Sequence, residues 1–302
     1  MTGIDDNAPA ALASKTIHDN SMVEGAPFPI VAAFFDIDGT LVGPSHFIAP
    51  RTKDAISKLK ALGVSVGFAT GRASFATAEL RQELGISGPS MFFAGSLIQN
   101  PSTGQTLYRV EMSNDTLRRL IDVATTYKSH LEFYTETDFF AERITEELTI
   151  HQQYCARPAR ISPLHQVMRE ELVIKAVMMA RVGESEAQLR SLLASIPGIT
   201  VTYSYGAAHD DIVFANIVDM RATREAAFSE LLKIHQCSPA MVATFGDSEA
   251  DQVFLRRARF GVATGNAIQV AKEAASYITS PVEKGGVGLA IEKLFLARAG
   301  RS

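Results

Sequence analysis

The stretch Val31-Ala32-Ala33-Phe34-Phe35-Asp36-Ile37-Asp38-Gly39-Thr40-Leu41-Val42 decides the fold of this chain. Six apolar residues run from Ile30 to Phe35 without a charge, which is typical of a strand buried on both faces of a parallel α/β sheet. The run ends at two carboxylates, Asp36 and Asp38, at the end of the strand where α/β folds place their ligands. Since residues i and i+2 of a strand point to the same side, both carboxylates can address one site.

These two carboxylates suit phosphoryl chemistry. One carboxylate can attack phosphorus and form an aspartyl phosphate, while the other protonates the leaving oxygen and later deprotonates a water molecule. A close pair of carboxylates is also a natural site for Mg²⁺, which prefers carboxylate, water and phosphate oxygens. The alternative is an Asp-Gly turn that only ends a strand. Its sequence context, directly after a buried strand, favours the chemical interpretation.

Two further strand ends carry polar side chains. The strand predicted from Val64 to Ala69 is followed by Thr70-Gly71-Arg72, and the Thr70 hydroxyl can either bond a phosphoryl oxygen or cap the next helix. The strand predicted from Met241 to Phe245 is followed by Gly246-Asp247-Ser248-Glu249-Ala250-Asp251. Asp247 can be a helix cap, but together with Asp36 it completes an oxygen-rich site for Mg²⁺.

These stretches resemble the motifs of the haloacid dehalogenase-like (HAD) phosphatases, and of their Cof-type subfamily in particular. The resemblance covers about residues 29 to 298. It implies that Asp36 is the nucleophile and Asp38 the acid and base. It also implies that the reacting phosphate is held by Asp36, Gly39, Thr70, Gly71 and Arg224. Mg²⁺ is then bound by Asp36, Asp38 (through its backbone carbonyl) and Asp247, with Asp251 in support.

Three positions depart from the Cof-type pattern. Arg224 stands where the subfamily has a lysine, so charge is kept but a planar fork replaces a point charge. Ala94 stands where an asparagine is usual, and Ala250 replaces the asparagine that precedes the last aspartate of the fourth motif. By analogy with that lysine, we expect Arg224 to bridge Asp36 and a phosphoryl oxygen; the alternative is an exposed arginine at a helix start.

The elements divide into a core and an insertion. Residues 1–28 predict a mobile tail that is not a secretory signal. Residues 29–113 and 206–302 predict a Rossmann-like parallel-sheet core, which includes a strand from Asp211 to Val218. The mixed short strands and helices of 114–205 predict a small α+β cap, which by resemblance selects the substrate. Its polar or aromatic candidates for substrate contact are Tyr134, Glu136, Arg143 and His151, and for each of them the alternative is a solvated or structural role.

Composition narrows the classes of function. The chain has 302 residues, a net charge of −4 and no long basic run, so it carries no footprint for nucleic acid or an anionic membrane. It has no apolar run of transmembrane length. Two distant cysteines, Cys155 and Cys237, fit reduced thiols in a cytoplasmic protein.

We therefore predict a Mg²⁺-dependent phosphatase, active as a monomer or homodimer on small phosphorylated metabolites. By resemblance, sugar phosphates are the expected substrate class. Two alternatives stay open: a phosphomutase of similar fold, which would return the phosphoryl group to a sugar, and a catalytically impaired protein that binds phosphorylated ligands.

Overall fold

The computed structural model describes residues 30–205 and 211–297, so the predicted tail lies outside the described residues. The strands are β1 (Ala32–Phe35), β2 (Ser65–Phe68), β3 (Ser90–Phe92), β4 (Leu97–Asn100), β5 (Gln105–Arg109), β6 (His130–Tyr134), β7 (Phe139–Ala141), β8 (Arg160–Ile161), β9 (Lys175–Arg181), β10 (Ile199–Tyr205), β11 (Ile212–Asp219), β12 (Val242–Gly246), β13 (Phe260–Ala263) and β14 (Tyr277–Ile278). The α-helices are α1 (Pro50–Ala61), α2 (Ala78–Leu84), α3 (Asn114–Tyr127), α4 (Glu146–His151), α5 (Leu164–Glu170), α6 (Glu184–Ala194), α7 (Arg224–Ile234), α8 (Gln252–Arg257), α9 (Gln269–Ala274) and α10 (Gly286–Ile291).

The core sheet is five-stranded and wholly parallel, in the order β14-β13-β12-β1-β2. Strand β1 lies between β12 and β2, and its apolar run is buried on both faces as the sequence predicts. Phe35 packs with the helix residue Ile56, whereas Phe34 packs on the opposite face with Phe228 and Phe254. The predicted α/β class with a parallel core is confirmed.

A second sheet of six strands, ordered β10-β11-β9-β6-β7-β8, follows in the inserted region. Helices α3, α5 and α6 cover one of its faces through apolar side chains such as Leu120, Val167 and Leu189. Its other face packs against the core through side chains that include Tyr134 and Phe139. We call this second face the inner face of the cap.

One strand lies in a different sheet from the one predicted. The run from Asp211 to Val218 was expected in the core, but the strand that it forms, β11, pairs antiparallel with β9 and β10. The inserted sheet therefore extends to Asp219 and does not end at residue 205. Strands of the core and of the insertion are both buried apolar runs, so composition alone cannot assign such a strand to one sheet or the other.

A three-stranded sheet, β3-β4-β5, joins the core to the cap. The side chain of Glu136, which follows β6, accepts hydrogen bonds from Thr106 Oγ1 at 2.6 Å and Arg109 Nη1 at 2.7 Å. The backbone carbonyl of Glu136 accepts one from Ser74 Oγ at 2.9 Å. Glu136 thus fastens the cap to the core. Across residues 30–205 and 211–297, the helices are too short or too polar to cross a bilayer.

Candidate active site

Parallel pairing brings the polar ends of β1, β2 and β12 to one edge of the core sheet. The backbone N–H of Asp36 donates to the carbonyl of Phe245 at 3.0 Å, and that of Ala69 donates to the carbonyl of Phe35 at 2.8 Å. Asp36 and Thr70 thus leave adjacent strands, and Asp247 directly follows β12. This edge is where ligands bind in open α/β sheets.

Three carboxylates meet at this edge. Asp36, Asp247 and Asp251 each offer one oxygen, and these atoms lie within 4.8 Å of one another. Burial, followed by the negative charge of Asp251, raises the pKa of Asp36 well above its usual range. Burial also raises the pKa of Asp247 to about 6, against a hydrogen bond from Thr40 that lowers it. Burial and mutual repulsion make the ionised carboxylates unfavourable by themselves. A small, hard divalent cation such as Mg²⁺, which prefers oxygen ligands, would offset this unfavourable charge.

The three carboxylates are not equivalent. One oxygen of Asp251 accepts from the backbone N–H groups of Asp247 and Ser248 at 3.1 and 2.9 Å and from the Ser248 hydroxyl at 2.7 Å. Its other oxygen accepts from Arg224 Nη1 at 2.9 Å. Asp251 is therefore committed to shaping the loop, whereas Asp36 and Asp247 keep oxygens available for a cation.

Gly39 lets the β1 loop approach Asp247. A Cβ at this position would lie 2.2 Å from Asp247 Oδ2, and the backbone has a positive φ of 84°. The next residue, Thr40, donates from its hydroxyl to Asp247 Oδ1 at 2.9 Å. Gly39 is thus required both for its backbone conformation and for the space that it leaves.

Asp38 is more exposed than Asp36, and its carboxylate is paired with Arg72. Arg72 Nε donates to Asp38 Oδ2 at 2.9 Å, and Nη2 donates to Oδ1 at 2.5 Å, as a planar guanidinium does to a carboxylate. Arg72 was not among the predicted site residues. Its signal in the sequence was its place directly after Thr70-Gly71.

Thr70 is buried, and its hydroxyl accepts a hydrogen bond from the Arg72 N–H at 3.2 Å. Gly71 has open space where a Cβ would lie, so a ligand oxygen can approach its backbone. The carbonyl of Thr70 accepts from Ala94 N–H at 3.2 Å. Ala94 has a φ of 55°, a left-handed conformation that asparagine adopts more readily than alanine.

Arg224 is the first residue of α7, and Thr223 caps this helix by accepting from the Ala226 N–H. The guanidinium is nearly buried, with 12% of the side chain exposed, and it pairs with Asp251. The charge of Arg224 acts to lower the pKa of Asp36, although burial and Asp251 dominate. Arg224 therefore lies in the cluster, but its carboxylate partner is Asp251 and not Asp36, to which we expected it to bridge.

The four cap candidates do not form one group. Glu136 is the fastening residue described above, and Arg143 lines a surface cavity beside Thr125 and Lys128 of the α3 end. Tyr134 and His151 lie on the inner face, where both bind Glu132. The Tyr134 ring also packs edge-on against Phe93 of the core, with ring centroids 6.2 Å apart.

Glu132, which sequence reasoning missed, is fully buried at the centre of a polar network on the inner face. It accepts from Tyr134 OH at 2.6 Å and lies 2.9 Å from His130 Nε2 and 2.7 Å from His151 Nδ1. Burial alone would raise the pKa of Glu132. The charge of His151 and the hydrogen bonds from both histidines outweigh it and lower this pKa to about 2.

We expect Glu132→Ala to lower the free energy of unfolding by about 3–5 kcal/mol at pH 7, because it leaves buried partners uncompensated. The folded-state pKa of about 2 lies below the ordinary value of 4.5, so this contribution is complete above pH 4.5 and fades as pH falls toward 2. Urea unfolding from pH 7 to pH 3 measures it, with Glu79→Ala, an exposed site, as the control. An equal decrease in the free energy of unfolding in both variants would contradict a stabilising role of the Glu132 network.

The family model and the named relatives that match this chain agree with one another. A sequence model of the haloacid dehalogenase-like hydrolases matches residues 33–291. The Bacillus subtilis (strain 168) protein YxeH, which carries a provisional phosphatase name, is 26% identical over 268 residues, covering 87% of this chain and 97% of the relative. The 5-amino-6-(5-phospho-D-ribitylamino)uracil phosphatase YitU of the same organism is 23% identical, covering 86% of this chain and 96% of YitU.

Solved structures agree with the fold. A haloacid dehalogenase-like hydrolase from Bacteroides thetaiotaomicron has a TM-score of 0.77 at 22% identity, covering 88% of this chain and 100% of its own. The HAD subclass IIB sugar phosphatase BT4131 has a TM-score of 0.72 at 24% identity, covering 87% of this chain and 98% of its own. Both likenesses support the core with an inserted cap.

Proposed function

The chain belongs to the haloacid dehalogenase-like hydrolase family and is a phosphatase, and we propose that it hydrolyses small phosphorylated metabolites through an aspartyl-phosphate intermediate with Mg²⁺ as cofactor. The single observation that carries this proposal is the meeting of Asp36, Asp247 and Asp251 at one edge of the sheet. Asp38 follows Asp36 by two residues, and Thr70 leaves the adjacent strand.

In the proposed mechanism, a carboxylate oxygen of Asp36 attacks phosphorus while the bond from phosphorus to the ester oxygen breaks. Asp38, once protonated, gives its proton to that leaving oxygen. Asp38 then takes a proton from water, whose oxygen attacks phosphorus and breaks the bond to Asp36. The products are the free alcohol and inorganic phosphate, and both aspartates return to their starting states.

Asp36 and Asp247 are the residues that would hold Mg²⁺, with the backbone carbonyl of Asp38, while Asp251 positions the loop. When bound, the cation offsets charge on the transferring phosphoryl group and favours the ionised form of Asp36. Thr70 and the backbone around Gly39 and Gly71 would hold the phosphoryl oxygens, because buried hydroxyl and N–H donors suit them.

The substrate class is proposed from the relatives. BT4131 is titled a sugar phosphatase, and the name of YitU specifies a phosphorylated ribityl compound. We propose sugar phosphates and similar polyol phosphates as substrates, acted on in the cytoplasm by a monomer or homodimer. The free thiols of Cys155 and Cys237 and the modest net charge of −4 fit this setting.

A phosphate-release screen tests the proposal. Purified protein with Mg²⁺ is offered a panel of sugar phosphates and p-nitrophenyl phosphate, and both inorganic phosphate and the dephosphorylated product are measured. A phosphatase forms the two in equal amounts. A phosphomutase would instead yield an isomeric sugar phosphate, and an impaired binding protein would yield neither product.

Arg224 gives the first site prediction. Its cation lies beside three carboxylates, so its loss leaves Asp251 unpaired and the site more anionic toward an incoming phosphate. We expect Arg224→Met to lower kcat/KM by about 10²–10³, in the range of one lost charge-assisted donor, and Arg224→Lys to retain more activity.

Arg221 is the matched control, because it is exposed and pairs with Asp219 outside the cluster. We expect Arg221→Met to stay near wild type. If Arg224→Met is near wild type and Arg221→Met is impaired, the phosphate-binding cation is Arg221 and the assignment of Arg224 is wrong.

A further inference from the structure

Lys175 opens strand β9 on the inner face of the cap. It pairs directly opposite Tyr134 of β6, and residues opposite each other in a ladder point to the same side of the sheet. The Tyr134 ring packs on Phe93, whose N–H donates to the carbonyl of Arg72 at 3.0 Å. Lys175 therefore faces the core, and two aromatic residues, Tyr134 and Phe93, connect it to the loop that carries Thr70 and Arg72.

Lys175 is half-buried, and its ammonium group lies 5.4 Å from the centroid of the Tyr134 ring. Within residues 30–205 and 211–297, no carboxylate forms an ion pair with it and no acceptor receives its hydrogen bond. The nearby acid, Glu132, is already bonded to Tyr134, His130 and His151. Burial lowers the pKa of Lys175 to about 8, against the raising effects of Cys155 and Glu132.

A partly desolvated cation without an anion costs free energy, whereas a methionine would fill the same volume without that cost. The same face carries further polar groups. Asn216 lies opposite Val177, two residues along β9 from Lys175, and Thr202 lies opposite Asn216. The inner face thus presents the Lys175 cation beside amide and hydroxyl groups that suit sugar or polyol hydroxyls.

We propose that Lys175 binds a second anionic group of the substrate, a carboxylate or a second phosphate, remote from the phosphoryl group that Asp36 attacks. This inference rests on the proposed phosphatase function and names the substrate class more closely. The preferred substrates are then phosphorylated sugars or sugar acids with two anionic ends. Lys175 is a specificity residue and takes no part in the chemical step.

The test compares doubly anionic substrates with singly anionic relatives. The pairs are 6-phosphogluconate with glucose 6-phosphate, and fructose 1,6-bisphosphate with fructose 6-phosphate. We expect the wild type to have the lower KM for the doubly anionic member of at least one pair, which also tells carboxylate from phosphate. Lys175→Met should raise that KM about 10- to 100-fold, as for one lost hydrogen bond between charged groups.

Three controls make the result specific. Lys175→Arg should recover part of the affinity, p-nitrophenyl phosphate turnover should change less than about twofold, and Lys128→Met, an exposed cap lysine, should match the wild type. If Lys175→Met is not recovered folded, Lys175→Gln serves the same comparison. Equal effects of Lys175→Met on both members of each pair, or a wild type that prefers the singly anionic member, would overturn the proposal.

Calorimetric binding of 6-phosphogluconate and fructose 1,6-bisphosphate to Asp36→Asn protein separates this inference from the proposed function. Binding that weakens with the added Lys175→Met change supports the anion site even if the wild type releases no phosphate. Phosphate release without any dependence of binding on Lys175 supports the phosphatase and overturns the anion site.

Discussion

Asp36→Asn should abolish phosphate release, with kcat reduced by at least about 10⁴, because an amide oxygen cannot act as the nucleophile toward phosphorus. Asp36 is a buried carboxylate of the cluster and follows β1, an interior strand of the core sheet. Single-turnover measurement of phosphate release, on every substrate that the wild type accepts, checks this result.

The fold should survive the Asp36→Asn change. Burial and neighbouring carboxylates raise the pKa of Asp36, so the ionised group is a cost to the folded protein in the absence of a cation. The amide has nearly the same size and no charge, so we expect a thermal midpoint in chelator at or above that of the wild type. Undiminished phosphate release from folded Asp36→Asn would refute the nucleophile assignment.

Removal of divalent metal should have the second large effect. EDTA should reduce turnover to the background rate, and Mg²⁺ should restore it, because Asp36 and Asp247 would otherwise present only negative charge to a phosphate. Asp247→Asn should raise the Mg²⁺ concentration for half-maximal activity by at least about tenfold.

Glu249→Gln is the matched control. Glu249 is an exposed residue two positions after Asp247, and the change removes the same negative charge. We expect its Mg²⁺ requirement to equal that of the wild type. A protein that keeps full activity in EDTA after dialysis against chelator does not use these carboxylates as a metal site. Equal shifts in Asp247→Asn and Glu249→Gln would point to a general charge effect.

Several parts of the fold and site are local in the chain, and the sequence alone predicts them. The apolar run before Asp36 specifies a buried strand, and the position of Asp38 two residues later follows from the period of that strand. Thr70 and Asp247 each follow such a run as well. Parallel strands present their carboxyl ends at one edge of the sheet, so the sequence alone predicts that Asp36, Thr70 and Asp247 lie close together.

Other features depend on which distant segments meet. Thr40 and Asp247 are 207 residues apart and share a hydrogen bond, and Arg72 reaches back 34 residues to Asp38. Arg224 has the register that the sequence indicates, but its ion pair with Asp251 depends on how α7 packs beside the fourth motif. A side chain of this length can reach several carboxylates, and packing selects among them.

The cap shows the same division most clearly. Alternation along β6 predicts a strand, yet nothing local indicates that Glu132 is buried among Tyr134, His130 and His151. The sequence also does not determine which sheet β11 joins, because its apolar pattern suits a strand of the core sheet as well as a strand of the cap sheet, where it pairs with β9 and β10. Strand identity is a local property of side-chain period, whereas strand partners and buried polar contacts are set by long-range pairing, which only the tertiary structure decided.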